Sequence, residues 1–162
     1  MNDDIPVTQP NGHHLAELNI GMAVDDLDTP TMAGFMNAFD KVNRIADRSP
    51  GFVWRLQDEA GNATGVKHLD NPREIVNLSV WQTIADLEHY IWNTVHRQFT
   101  KRRAQWFVLL DRHYFVMCWV PIGIAPTLAE ALDRLARLRR DGPSPDAFGW
   151  GDLPGQRIWD QA

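Results

Sequence analysis

Residues 78–106, LSVWQTIADLEHYIWNTVHRQFTKRRAQW, read as a strand that passes straight into a helix. Val76, Leu78 and Val80 fall on one face, and Asn77, Ser79 and Trp81 on the other, which is the period of a pleated strand. From Thr83 the period changes. Ile84, Leu87, Ile91, Val95 and Phe99 make one apolar stripe at about 100° per residue, with Trp106 in line. That spacing predicts a long helix from Thr83 to about Phe107. Two histidines and three tryptophans lie in this one stretch. Such a density suggests a lined cavity rather than an anonymous surface.

Working outward, Glu74 to Gln82 is the third of four predicted strands. Leu15 to Ala23 is the first, with Leu18, Ile20 and Met22 on one side and Glu17, Asn19 and Gly21 on the other. Asp25 to Pro30 is a turn, in which Asp28 or Thr29 can cap a helix with Pro30 in its first turn. Phe35, Phe39, Val42 and Ile45 give helical spacing over Met32 to Ala46. Ser-Pro-Gly at 49–51 ends that helix, and Phe52 to Gln57 is the second strand. A Gly-, Asn- and Asp-rich loop runs from Asp58 to Pro72. Arg112 to Pro121 is the fourth strand, and Thr127 to Arg140 is a final amphipathic helix with Leu128, Ala131 or Leu132, Leu135 and Leu138 inward.

The order β-α-β-β-α-β, with an extra C-terminal helix, predicts an α+β, ferredoxin-like antiparallel sheet. The expected division is a flexible arm over 1–13, the folded domain over 14–141 and an irregular tail over 142–162. Strand four, HYFVMCWV at 113–120, is apolar at nearly every position. His113, Phe115, Met117 and Trp119 share one face; Tyr114, Val116, Cys118 and Val120 share the other. A strand apolar on both faces needs two covers, and a second copy of the sheet would supply one. The expected assembly is therefore a homodimer with a dimeric α+β barrel.

Composition narrows the function. The chain has 162 residues, 44% of them hydrophobic and 23% charged, values that suit one domain with a real core. A formal net charge of -5 argues against nucleic acid as the partner. The single cysteine, Cys118, fits a reducing compartment. With neither a leader-like N-terminus nor an apolar run of about 20 residues, the expectation is a cytoplasmic protein with no membrane partner.

Four segments carry a resemblance: SPGFVWRLQ at 49–57, LSVWQTIADLEHYIW at 78–92, HRQFTKRRAQWF at 96–107 and CWVPIGIAPTLAEALDRLARLR at 118–139. Over residues 14–150 the chain resembles a bacterial family of unknown function. That family is placed among the dimeric α+β barrel proteins, which include the antibiotic-biosynthesis monooxygenases. The resemblance implies the fold and the dimer, and a small-molecule pocket, but no particular reaction. Ile124 stands where such relatives often carry a polar residue or histidine, which argues against a pocket role for that loop.

On the long helix, His89, Trp92, His96 and Arg103 fall on one shoulder of the apolar stripe, where a cavity between helix and sheet would open. A neutral His96 could accept a proton there, with His89 beside it, and Arg103 could neutralise a carboxylate, phenolate or enolate oxygen. Each histidine is equally a hydrogen-bonded boundary residue, the commoner role at such positions. His89 and His96 are two turns apart, about 10 Å of rise, so one metal ion cannot join them unaided. No metal centre is predicted. No cofactor is required either, although an aromatic pocket with one histidine suits a haem, with His96 the first axial candidate.

On the sheet, Trp54, Trp81 and Trp119 belong to strands two, three and four. Core packing alone can justify them, at roughly 1.5–3 kcal/mol each, and a ligand pocket is the alternative. Asn19, Asn77 and Ser79 share the faces opposite their strands' aliphatic residues. Buried amides need partners, so this set either faces a barrel interior with ordered water or lines a site. Arg55 is expected to pair with Glu17 across the sheet. Lys101 and Arg102 complement the helix dipole, and Cys118, mid-strand among apolar residues, should be inert. The expected activity is a monooxygenase-like or isomerase-like enzyme acting on a small aromatic or polyketide-like substrate. The alternative is a non-catalytic module that holds haem or an apolar ligand.

Overall fold

In the computed structural model, residues 7–57, 71–93, 101–108, 110 and 113–153 are described. The first strand, β1, runs His13–Met22, followed by α1 (Pro30–Arg48), β2 (Phe52–Arg55) and β3 (Glu74–Trp81). After these come α2 (Ile84–Asn93), the four-residue α3 (Arg103–Trp106), β4 (Phe115–Pro121), α4 (Leu128–Asp141) and a 3-10 turn at Trp150–Asp152. The four strands form one antiparallel sheet in the order β2-β3-β1-β4. That is the ferredoxin-like split βαβ arrangement expected from the order of elements.

Local chemistry sets the element ends. Thr29 takes the N-cap of α1 with extended backbone and Pro30 follows in the first turn, but its hydroxyl donates to the Asp26 carbonyl (2.7 Å). The α4 cap is complete: the Thr127 hydroxyl accepts from the Glu130 N–H at 3.1 Å. Gly142, at φ 78°, ends that helix where a side chain would be strained.

The long helix differs from its sequence reading. Helix α2 is described to Asn93, and Arg102 then sits at φ -91°, ψ 3°, outside helical geometry, just before α3. The physical reason lies at the other end of the segment. Phe107 is extended and bridges Ala23, and Val108 N–H donates to the Met22 carbonyl at 2.8 Å. The chain must leave the helix to continue the edge of β1. Residues 94–100 lie outside the described residues.

The two faces of the sheet have different covers. Helices α1 and α2, with Phe148 and Leu153 of the tail, cover Leu15, Trp81 and Met117. The other face carries Leu18, Ile20, Val76, Leu78 and Val116, and packs on Leu128, Ala131, Leu135 and Leu138 of α4. The second cover of β4 is thus the chain's own helix. A partner subunit is not needed to bury that face, which corrects the reasoning, though not the fold, behind the expected barrel. At the outer edge of β4, Met117 exchanges two backbone hydrogen bonds with Phe148, at 2.7 and 3.1 Å.

Candidate functional site

Cross-strand register builds the site in rows on the face beneath α1 and α2. Leu15 lies between Trp81 and Trp119, Glu17 between Ser79 and Met117, and Asn19 between Asn77 and Phe115. Strand alternation brings all these side chains to one face. Five of the expected pocket residues therefore meet there: Asn19, Asn77, Ser79, Trp81 and Trp119.

Trp54 does not join them. The β2–β3 register shifts between Phe52 and Trp54, so that Phe52 opposes Trp81 while Trp54 opposes Val80. A bulge of one residue turns every later side chain to the opposite face. Trp54 consequently packs in the clusters of the α4 side, with Val80 and Cys118 and beside Leu56. The tryptophan expected in the pocket is a core residue of the other layer.

The helix residues scatter. His89 is exposed on α2, so its ring is directed away from the sheet face, and Trp92 is half-buried. Arg103 is half-buried at the start of α3, its guanidinium over Tyr114 and Phe107. His96 lies outside the described residues.

At the centre of the rows is a residue that sequence reasoning assigned only to an ion pair. Glu17 is 5% exposed. Ser79 Oγ donates to its Oε1 at 2.6 Å, and Asn19 Nδ2 donates to its Oε2 at 3.3 Å. Trp81 Nε1 donates in turn to Ser79 Oγ at 2.9 Å. The indole can only donate, so it occupies an oxygen lone pair of Ser79 and leaves the hydroxyl proton for Glu17. Burial pushes the Glu17 carboxyl up to about 7, against the two hydrogen bonds, which favour the ion. The result is a carboxyl poised to gain or lose a proton near neutrality.

Around it, Trp81 is fully buried, stacks on Tyr90 (4.9 Å, 24°) and meets Phe52 edge-on (5.5 Å, 80°). The Tyr90 hydroxyl donates to the Val42 carbonyl at 3.2 Å. Its pKa is pushed up, first by burial and then by the nearby Glu17 charge. Arg55 forms a two-pronged ion pair with Asp47 of α1, at 2.8 and 3.2 Å, in place of the expected pairing across the sheet. Asp47 lies directly over β2 on α1, a tertiary neighbour that sequence spacing does not reveal.

The signal that could have found Glu17 was present. It lies between Leu15 and Asn19 at strand period, and those neighbours place it on the covered face. Cys118 behaves as expected, its thiol pushed up to about 11 by burial. Two surface grooves of about 440 and 400 Å3 lie elsewhere, one along Gln9, His13 and His14 and the other between β4 and α4. Neither borders Glu17. Among the described residues no group of three metal-ligating side chains converges, and no helix is long and apolar enough to cross a membrane.

Solved structures with similar chain traces share little sequence. A protein described as an antibiotic-biosynthesis monooxygenase, from Nitrosomonas europaea, is 18% identical with TM-score 0.46, covering 74% of this chain and 99% of that one. A protein of unknown function from the same organism is 11% identical with TM-score 0.45, covering 73% and 97%. SnoaB, a cofactor-independent oxygenase from Streptomyces nogalater, is 15% identical with TM-score 0.42, covering 72% and 98%. No curated protein matches the chain significantly. The family model that does match spans residues 14–161, and the chain belongs to that family, the domain of unknown function DUF3291.

Proposed function

We propose that this protein is a small-molecule enzyme in which Glu17 takes a proton from an acidic C–H of an aromatic or polyketide-like ketone. The observation that carries the reading is the buried Glu17 carboxyl, held by Ser79 and Asn19 on the helix-covered face. A general base works best when its pKa lies near the operating pH, and burial supplies that match. The C–H proton passes to the carboxylate, and the electron pair moves into the carbonyl to give an enolate. Asn77, half-buried opposite Asn19 in the register, would donate to the enolate oxygen. Returning the proton to a different carbon completes an isomerisation with no resident cofactor. With dioxygen as co-substrate the same first step serves monooxygenase-like chemistry, a CH2 group becoming a carbonyl while the second oxygen atom leaves as water.

Exchange of acidic hydrogens in deuterated water tests this with 2-tetralone as probe. The wild type should speed deuterium incorporation, and Glu17→Gln should lower that rate by about 100-fold or more. Exchange unchanged in Glu17→Gln, with loss in His96→Ala instead, would move the base to His96.

A second reading is a module that holds haem or an apolar ligand without chemistry. It is favoured by Trp119, whose buried indole N–H has no hydrogen-bond partner among the described residues and could serve a bound acceptor. Haem titration decides it: a Soret band at micromolar haem supports the module, and an unchanged spectrum removes haem as the ligand.

The homodimer enters as part of the same proposal. Its surface would be the β4–α4 loop, where Ile122 and Ile124 are 57% and 58% exposed. Sedimentation should report two chains in the wild type and one when both isoleucines are replaced by serine. A wild type sedimenting as one chain contradicts the dimer.

A further inference from the structure

Trp81 and Ser79 stand two residues apart on β3, so strand alternation sets both on the face that carries Glu17. The indole is fully buried and gripped from two sides. Tyr90 of α2 stacks on it at 4.9 Å and 24°, and Phe52 of β2 meets it edge-on at 5.5 Å and 80°. Phe52 reaches it because it stands opposite Trp81, ahead of the β2 bulge. Tyr90 is tied to α1 by its hydroxyl, which donates to the Val42 carbonyl at 3.2 Å. Three elements therefore fix where the indole N–H points.

It points at Ser79 Oγ, 2.9 Å away, and the Ser79 hydroxyl points at Glu17 Oε1, 2.6 Å away. An indole nitrogen only donates, so this chain of bonds cannot reverse at its Trp81 end. Each bond polarises the next, and the N–H makes Ser79 a stronger donor to the carboxylate. The other oxygen, Oε2, has the longer contact, with Asn19 Nδ2 at 3.3 Å, and Asn19 is half-buried where Ser79 and Trp81 are buried. The ionisable groups around the row are Asp47 of α1, Arg55 of β2 and Tyr90 of α2. The first two bond each other and the third bonds Val42. Among the described residues, only Ser79 and Asn19 bond the Glu17 carboxyl.

We propose that Trp81 is a positioning residue for the base: acting through Ser79, it holds Glu17 Oε1 as an acceptor and makes Oε2 the oxygen that takes and returns the proton. The role rests on reading Glu17 as the base, but its test reads the carboxyl itself.

In the wild type the Trp81 indole N–H, followed by nitrogen-15 NMR, should titrate with the midpoint of the Glu17 carboxyl. The titration should vanish in Glu17→Gln and also in Ser79→Ala, because the effect travels through the hydroxyl. A resonance that ignores pH, or one that still follows Glu17 in Ser79→Ala, overturns the proposal. Trp81→Phe removes the donor, so the Glu17 midpoint and the pH profile of 2-tetralone exchange should both rise by about one pH unit. An unmoved carboxyl midpoint contradicts the role, and the indole titration decides the matter where Trp81→Phe fails to fold. In Glu17→Gln, nuclear Overhauser contacts should place the introduced amide NH2 beside Asn19 and not beside Ser79; the opposite orientation overturns the choice of Oε2. A midpoint that moves as expected, in a protein whose wild type catalyses no exchange, would keep the relay and remove the reading of Glu17 as base.

Discussion

The carboxyl of Glu17 meets opposing demands: burial favours the neutral acid, while Ser79 and Asn19 favour the ion. Its folded-state pKa of about 7 lies above the ordinary value of 4.5. Between those two pH values the folded chain keeps a proton that the unfolded chain has released. Stability is therefore lost as pH rises through this window, by about 3 kcal/mol from this group. Glu17→Gln removes the penalty, so its stability relative to wild type should rise by that amount from pH 4 to pH 8. Urea unfolding at the two pH values checks this, and a constant difference would contradict the burial argument. The amides and hydroxyl of the site were legible from strand alternation, because Asn19, Asn77 and Ser79 stand opposite aliphatic neighbours. The role of Glu17 was not, since it depends on which strand lies beside β1 and on Trp81 donating to Ser79.

At the scale of elements, the tightest junction is where Phe107 lies on Gly21. A methyl group at Gly21 must displace a ring wedged against Phe35, so Gly21→Ala should cost on the order of 1–3 kcal/mol. The cost should shrink in a Phe107→Leu background, and a double-mutant cycle of melting measurements reads the coupling. Equal costs in both backgrounds would show that the ring is not what occupies the space. Periodicity located every strand and the bodies of α1, α2 and α4. It could not see the β2 bulge that sends Trp54 to the far layer, nor the break at Arg102, because both are imposed by pairing with distant strands. Helical spacing puts Arg103 near the apolar stripe. The aromatic rings that hold it came from Tyr114 and Phe107, which helical spacing does not bring together.

For the whole molecule, the sequence made both faces of β4 apolar, and the fold answers with helices on both sides of one sheet. Leu135 and Leu138, each 1% exposed, lie at the centre of the α4 contact. Leu135→Ala should cost about 2–5 kcal/mol, read as a lowered urea midpoint. A cost below 1 kcal/mol would mean that α4 is not the cover of that face. The ferredoxin-like order was legible because each element announces itself locally. The identity of the second cover was not, because an apolar face accepts a helix of its own chain as readily as a second chain. The proposed chemistry depends on the Glu17 carboxyl, the one buried carboxyl among the described residues. Direct titration of Glu17 by carbon-13 NMR, with Glu17→Gln to assign the resonance, tests it most closely. A midpoint near 7 is the predicted result, and a midpoint near 4.5 would show a solvated carboxyl with no special chemistry.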